Sequence, residues 1–125
     1  MRVLIVEPYK EPYEKDIDNS LKSMQKIVGG LIEPVYLDEN TAIICNEEGK
    51  LMGLEGNRRV GRDIIAGTFF IAGMNDEGEF VSLTDEQLKA CKERFNEPEE
   101  ISPEEVEDSI CIEFYAFGPD EEMEF

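Results

Sequence analysis

"DIIAGTFFIAGMNDEGEFVSLTDEQLKACKERF", residues 63–95, carries the strongest local structural signals in the chain. The β-branched and aromatic content of its first third favours a strand around Thr68–Ala72. "MNDEGE" has the polar, glycine-bearing composition of a hairpin turn and leads into "FVSL". The next run is the clearest helix. Thr84 followed three residues later by Gln87 is a capping-box pattern, and Asp85 and Glu86 sit at the positive end of the helix dipole. Leu88, Cys91 and Phe95 share one helical face. Strand, turn, strand and amphipathic helix in succession point to an antiparallel sheet with a helix packed on it.

Working outward, "MRVLIVE" reads as a buried opening strand, apolar from Val3 to Val6. "PYKEPYEKDID", broken by Pro8 and Pro12, reads as a loop. Leu21, Met24, Ile27 and Val28 recur at helical spacing, which predicts a helix from about Asn19 to Val28. Asp18 or Asn19 would cap its start and Gly29-Gly30 would end it. "LIEPVYL" and "TAIICNE", separated by the turn-like "DEN", read as an antiparallel pair. Pro34 has no N–H to give to a ladder, so its strand belongs at an edge or a bulge. The expected architecture is a single α+β domain, a mainly antiparallel sheet with two or three helices packed on one face. Residues 1–96 would form its core, and 97–108 an acidic linker or a short helix begun by Ser102-Pro103. Residues 109–125 would add a late strand, "ICIEFYAF", and an acidic tail.

With 125 residues, 41% of them hydrophobic, the chain fits one core. No apolar run approaches the roughly 20 residues that cross a bilayer. "MRVLIVEP" has too short an apolar stretch for a signal peptide, so the expected location is the cytosol of a bacterial host. Cys45, Cys91 and Cys111 are few, scattered and flanked by apolar residues, the pattern of buried thiols. The chain has no histidine. That removes Ser-His-Asp and Cys-His catalysis and the usual transition-metal sites. No carboxylate loop of the calcium-binding type is present either. The expectation is a binding protein without catalytic residues, metal or cofactor.

Charge is the second informative feature. The net charge is −18, and it is uneven. Residues 81–125 hold 15 Asp/Glu against three Lys/Arg, whereas residues 1–80 hold 15 against nine. Such a field repels nucleic acid and anionic membranes and attracts basic surfaces. Against it stands "GLEGNRRVGR", residues 53–62, with three arginines between glycines. Asn57, Arg58, Arg59 and Arg62 allow two readings. They are internal counterions to an acidic chain, or they frame a pocket for a small nucleotide-like anion. Neither a Walker loop nor a "GxGxxG" is present to favour the second.

"VEPYKEPYEKDIDNSLKSMQKIVGGLIEPVYL", "IICNEEGKLMGLEGNR" and "DIIAGTFFIAGMNDEGEFVSLTDEQ" together resemble the family called domain of unknown function 3846, over about residues 1–96. That family occurs in Firmicutes, their phages and their conjugative elements. The resemblance implies a mobile-element setting and no particular activity. It also implies that the "RVGR" between "NR" and "DIIAGTFF", with Arg59 and Arg62, is shorter than the insert common in the family. Residues 97–125 lie outside it.

The acidic third gives the leading functional expectation, an accessory counter-defence protein that mimics nucleic acid. Carboxylates along an ordered segment can occupy the basic groove of a host nucleic-acid-handling or defence protein. Glu99, Glu100, Glu104, Glu105, Glu107, Asp108, Asp120, Glu121 and Glu122 would supply the charge. Phe114, Tyr115 and Phe117 would supply aromatic anchors. A solvated tail and a strand-to-strand contact between copies in a homo-oligomer are the other readings of this region. The alternative function is a sponge that holds a nucleotide-like signal at the arginines.

Overall fold

In a computed structural model, residues 1–110 are described. The first strand, β1 (Arg2–Val6), and the central strand β7 (Phe69–Met74) are apolar at every position from Val3 to Val6 and from Phe69 to Ala72. Side chains alternate between the faces of a sheet, so an unbroken apolar run needs cover on both. The structure provides it. Leu4, Val6, Ile43, Phe69 and Ile71 lie on one face beneath Leu88, Cys91 and Phe95 of helix α2 (Asp85–Phe95). Val3, Ile5, Ala42, Ile44, Phe70 and Ala72 lie on the other beneath Met24 and Val28 of helix α1 (Leu21–Val28). The expectation of helices on a single face is corrected accordingly. The α+β class and the antiparallel sheet hold.

Strand order is β2-β1-β7-β4-β3, where β2 is Tyr13–Asp16, β3 is Ile32–Tyr36 and β4 is Thr41–Asn46. A short β8 (Phe80–Val81) pairs with the end of β7 through the "MNDEGE" hairpin. Every pairing is antiparallel. Pro34 sits in β3, an edge strand, where its missing N–H is harmless. β2 falls where a loop was expected. Its four residues are all exposed and have no hydrophobic period. They are extended because they pair with β1, Arg2 against Asp16 through Ile5 against Tyr13.

The second sheet is a hairpin of β5 (Gly56–Val60) and β6 (Asp63–Ala66). β5 is the arginine stretch itself, which was not expected to be a strand. The expected strand around Thr68–Ala72 is β7, and β6 is a further strand just before it. Gly67 separates them with φ 85°, a left-handed backbone that glycine adopts without strain.

Local signals set the helix ends. Ser20, one or two residues after the expected cap, accepts from the Ser23 N–H and starts α1, and left-handed Gly29 ends it. Thr84 and Gln87 form the reciprocal box at α2, with the Gln87 N–H donating to Thr84 Oγ1 at 3.1 Å and the Thr84 N–H to Gln87 Oε1 at 2.9 Å. Residues 103–110 form a third helix, α3, so Ile110, expected to open the late strand, is helical. The remainder of "ICIEFYAF" and the acidic tail lie outside the described residues. Among the described residues, no helix is long and apolar enough to cross a membrane. Thr84→Ala should cost about 1 kcal/mol of stability, the usual value of an N-cap, measured by urea unfolding.

Candidate functional site

The arginines of β5 are separated by a bulge. Gly56 faces Ala66 and Arg58 faces Ile65, so Asn57 is an extra residue with no partner across the hairpin. In a regular strand two adjacent side chains point to opposite faces, whereas a bulge re-aims one of them. Asn57 and Arg58 are consequently both buried, at 0% and 1% exposure.

Each polar group of the pair is taken. Asn57 Nδ2 donates to the carbonyl of Val6 at 2.8 Å and to that of Gly67 at 3.0 Å. Arg58 Nη1 donates to Asn57 Oδ1 at 2.8 Å and to the Asn57 carbonyl at 3.1 Å. Its Nη2 reaches the Lys10 carbonyl at 2.7 Å and the Phe95 carbonyl at 3.0 Å, and Nε reaches Phe95 again at 3.2 Å. Those five bonds match the five donors of a guanidinium. Burial pulls the Arg58 group below the ordinary arginine value, and nearby Glu99 opposes the shift. Phe95 is the last residue of α2, whose carbonyl end is partially negative and favours a cation. Among the described residues no carboxylate pairs with Arg58 directly.

Arg59 points the other way. Its backbone N–H donates to Glu99 Oε2 at 3.1 Å, Nη1 to Glu99 Oε1 at 2.8 Å, and Nη2 to Glu105 Oε2 at 3.0 Å. Its hydrogen bond to Glu99, with the charge of Glu105, raises its pKa despite desolvation. Arg62 is exposed in the β5–β6 turn beside left-handed Gly61. The four residues therefore do not converge on one pocket. Two are spent inside the fold, one binds the protein's own carboxylates, and one stands apart at the hairpin turn.

The acidic segment that Arg59 holds is built as a docked helix. Ser102 Oγ accepts from the Glu105 N–H at 3.2 Å while Glu105 Oε2 accepts from the Ser102 N–H at 3.1 Å, a second capping box, with Pro103 in the first turn. Ile101 and Val106 are buried against Ile64 and Ala66 of β6. Gly56 makes room for them, since a Cβ there would come within 2.8 Å of Ile101. With Val106 and Ser109 turned inward, Glu104, Glu107 and Asp108 face solvent, as does Glu100, and Glu99 is half-buried. Phe114, Tyr115, Phe117, Asp120, Glu121 and Glu122 lie outside the described residues. Cys45 and Cys91 are buried, and burial pushes the Cys91 thiol up.

A family model described as "Domain of unknown function (DUF3846)" matches residues 1–96. The chain belongs to this family. No curated protein and no solved structure matches it. The matched region ends one residue after Phe95, so the Arg58 knot closes wholly within the family body. The helix gripped by Arg59 lies beyond it.

Arg58→Lys should destabilise the protein by about 3 kcal/mol, because an ammonium cannot serve these separated carbonyls and leaves buried acceptors unpaired. Arg62→Ala should change stability by less than about 0.5 kcal/mol. Chemical unfolding of the two variants beside the parent checks both.

Proposed function

We propose that this DUF3846 protein acts by binding rather than catalysis, and that α3 with the segment before it is its binding face. Its partner is the basic surface of a host nucleic-acid-handling or defence protein in the bacterial cytosol. The observation that carries this reading is the docking of residues 99–106 onto the β5–β6 hairpin. Arg59, Ile101 and Val106 hold the segment while Glu100, Glu104, Glu107 and Asp108 point outward.

A solvated acidic tail has no need of a capping box, two buried aliphatic residues and a glycine cleared for them. Carboxylates in fixed positions bind a basic groove without first losing chain entropy, which favours affinity. They also gain from complementary potentials and from the counterions released on contact. The counter-defence setting follows from the mobile-element distribution that the family resemblance implies. The sponge reading has less support, because Asn57 and Arg58 have no free donor to offer an anion.

The test is retention of proteins from a bacterial lysate on the tagged chain, followed by a nucleic-acid-binding assay of what is retained. The expected outcome is a nucleic-acid-binding protein whose retention falls steeply with salt and is competed by duplex DNA. Its own DNA or RNA binding should be inhibited by this chain. Reversing Glu100, Glu104, Glu107 and Asp108 to lysine should abolish retention without unfolding the sheet. Retention that survives both high salt and charge reversal would overturn the reading, as would release of a bound nucleotide that depends on Arg59 or Arg62.

A further inference from the structure

Beside the docked segment runs an open groove of about 500 Å3, lined by Tyr9, Glu100, Ile101, Ser102, Pro103 and Glu105. One wall is the Glu7–Lys10 turn, closed by the Lys10 N–H on the Glu7 carbonyl at 3.3 Å, with Pro8 and Tyr9 at its two central positions. Tyr9 has φ 63° and is the one non-glycine residue with positive φ among the described residues. A turn of this kind calls for glycine or asparagine there. The turn geometry is needed to aim the Lys10 carbonyl at Arg58, but that requirement does not explain a tyrosine. Half of the Tyr9 side chain is exposed, and it borders the groove. Glu100, which borders the same groove, makes no hydrogen bond or ion pair with any described residue. Glu105 is engaged by Arg59 and by the Ser102 N–H.

An aromatic face and an unengaged carboxylate bordering one groove have complementary demands on a ligand. The ring's negative face attracts a cation, best a planar guanidinium that can stack on it, and the carboxylate accepts its N–H groups. An anion would meet Glu100 and the net charge of −18. We infer that this groove seats an arginine side chain of the basic partner, stacked on Tyr9 and hydrogen-bonded to Glu100. The inference rests on the proposed binding face and deepens it, since it names an anchor on a surface otherwise defined only by charge.

The experiment titrates the full chain, isotope-labelled for NMR, with a capped tetra-arginine peptide and separately with capped tetra-lysine. Backbone shifts should be largest at Tyr9, Glu100 and Ile101, and the arginine peptide should bind more tightly. Tyr9→Asn suits the left-handed turn, so it should leave urea stability undiminished while weakening arginine-peptide binding by about two- to fivefold. Glu100→Gln should weaken it as well. Unchanged affinity in Tyr9→Asn, or shifts spread evenly over Glu104, Glu107 and Asp108, would overturn the seat and leave the acidic face standing. Absence of any shift along residues 99–108 would count against both.

Discussion

A buried guanidinium, that of Arg58, pins together backbone segments whose side chains the main hydrophobic cluster only packs side by side. It joins the Glu7–Lys10 turn, the β5 bulge and the carbonyl end of α2, and through Asn57 it reaches the end of β1 and the Gly67 bend. Taking a charge out of water costs several kcal/mol, and the cost is offset only when every donor finds an acceptor. Here the acceptors are backbone carbonyls, which are uncharged and fixed in place by the secondary structure around them. Arginine alone has a planar fork of five donors able to bridge three separate segments. The knot thus depends on the sheet being formed, and it fixes the carbonyl end of α2 and the β5 bulge against the Glu7–Lys10 turn.

The neighbouring arginine has the opposite role. One residue along β5, Arg59 emerges on the outer side and binds Glu99 and Glu105. Adjacent positions on an extended chain thereby do two jobs, one closing the family body and one attaching a helix to it. The attachment is modest in size, two buried aliphatics and two ion pairs at a partly exposed site, where solvent screens each pair. It is enough to hold the acidic side chains in a defined arrangement.

Features governed by nearest neighbours were legible in the sequence. The Thr84–Gln87 box, the Gly29 cap, the β7–β8 turn and the edge position of Pro34 each follow from chemistry within a few residues. The acidic helix begun by Ser102-Pro103 was legible as one of two alternatives. What was missed depends on partners distant in the chain. β2 is polar and exposed and is a strand only because β1 lies beside it. The bulge at Asn57 has no local signature, so the arginine stretch reads as a loop and its two burial states are hidden. The two-sided burial was, by contrast, signalled. "VLIV", "AII" and "FFIA" leave no polar face, and runs of that kind require helices on both sides. At the proposed binding face, the carboxylates were legible from charge, while Tyr9 was not, because nothing in the sequence places residue 9 in one groove with residue 100.

The measurement that bears most directly on this account is amide hydrogen exchange along α3 in the parent chain and in Arg59→Gln. A docked helix protects its amides, and loss of the clamp should release them locally. The account predicts slowed exchange at Val106 and Ser109 in the parent and a marked acceleration there in Arg59→Gln, with β1, β4 and β7 still protected. Exchange at the rate of an unstructured chain across residues 103–110 in the parent would contradict it. So would protection that is indifferent to Arg59.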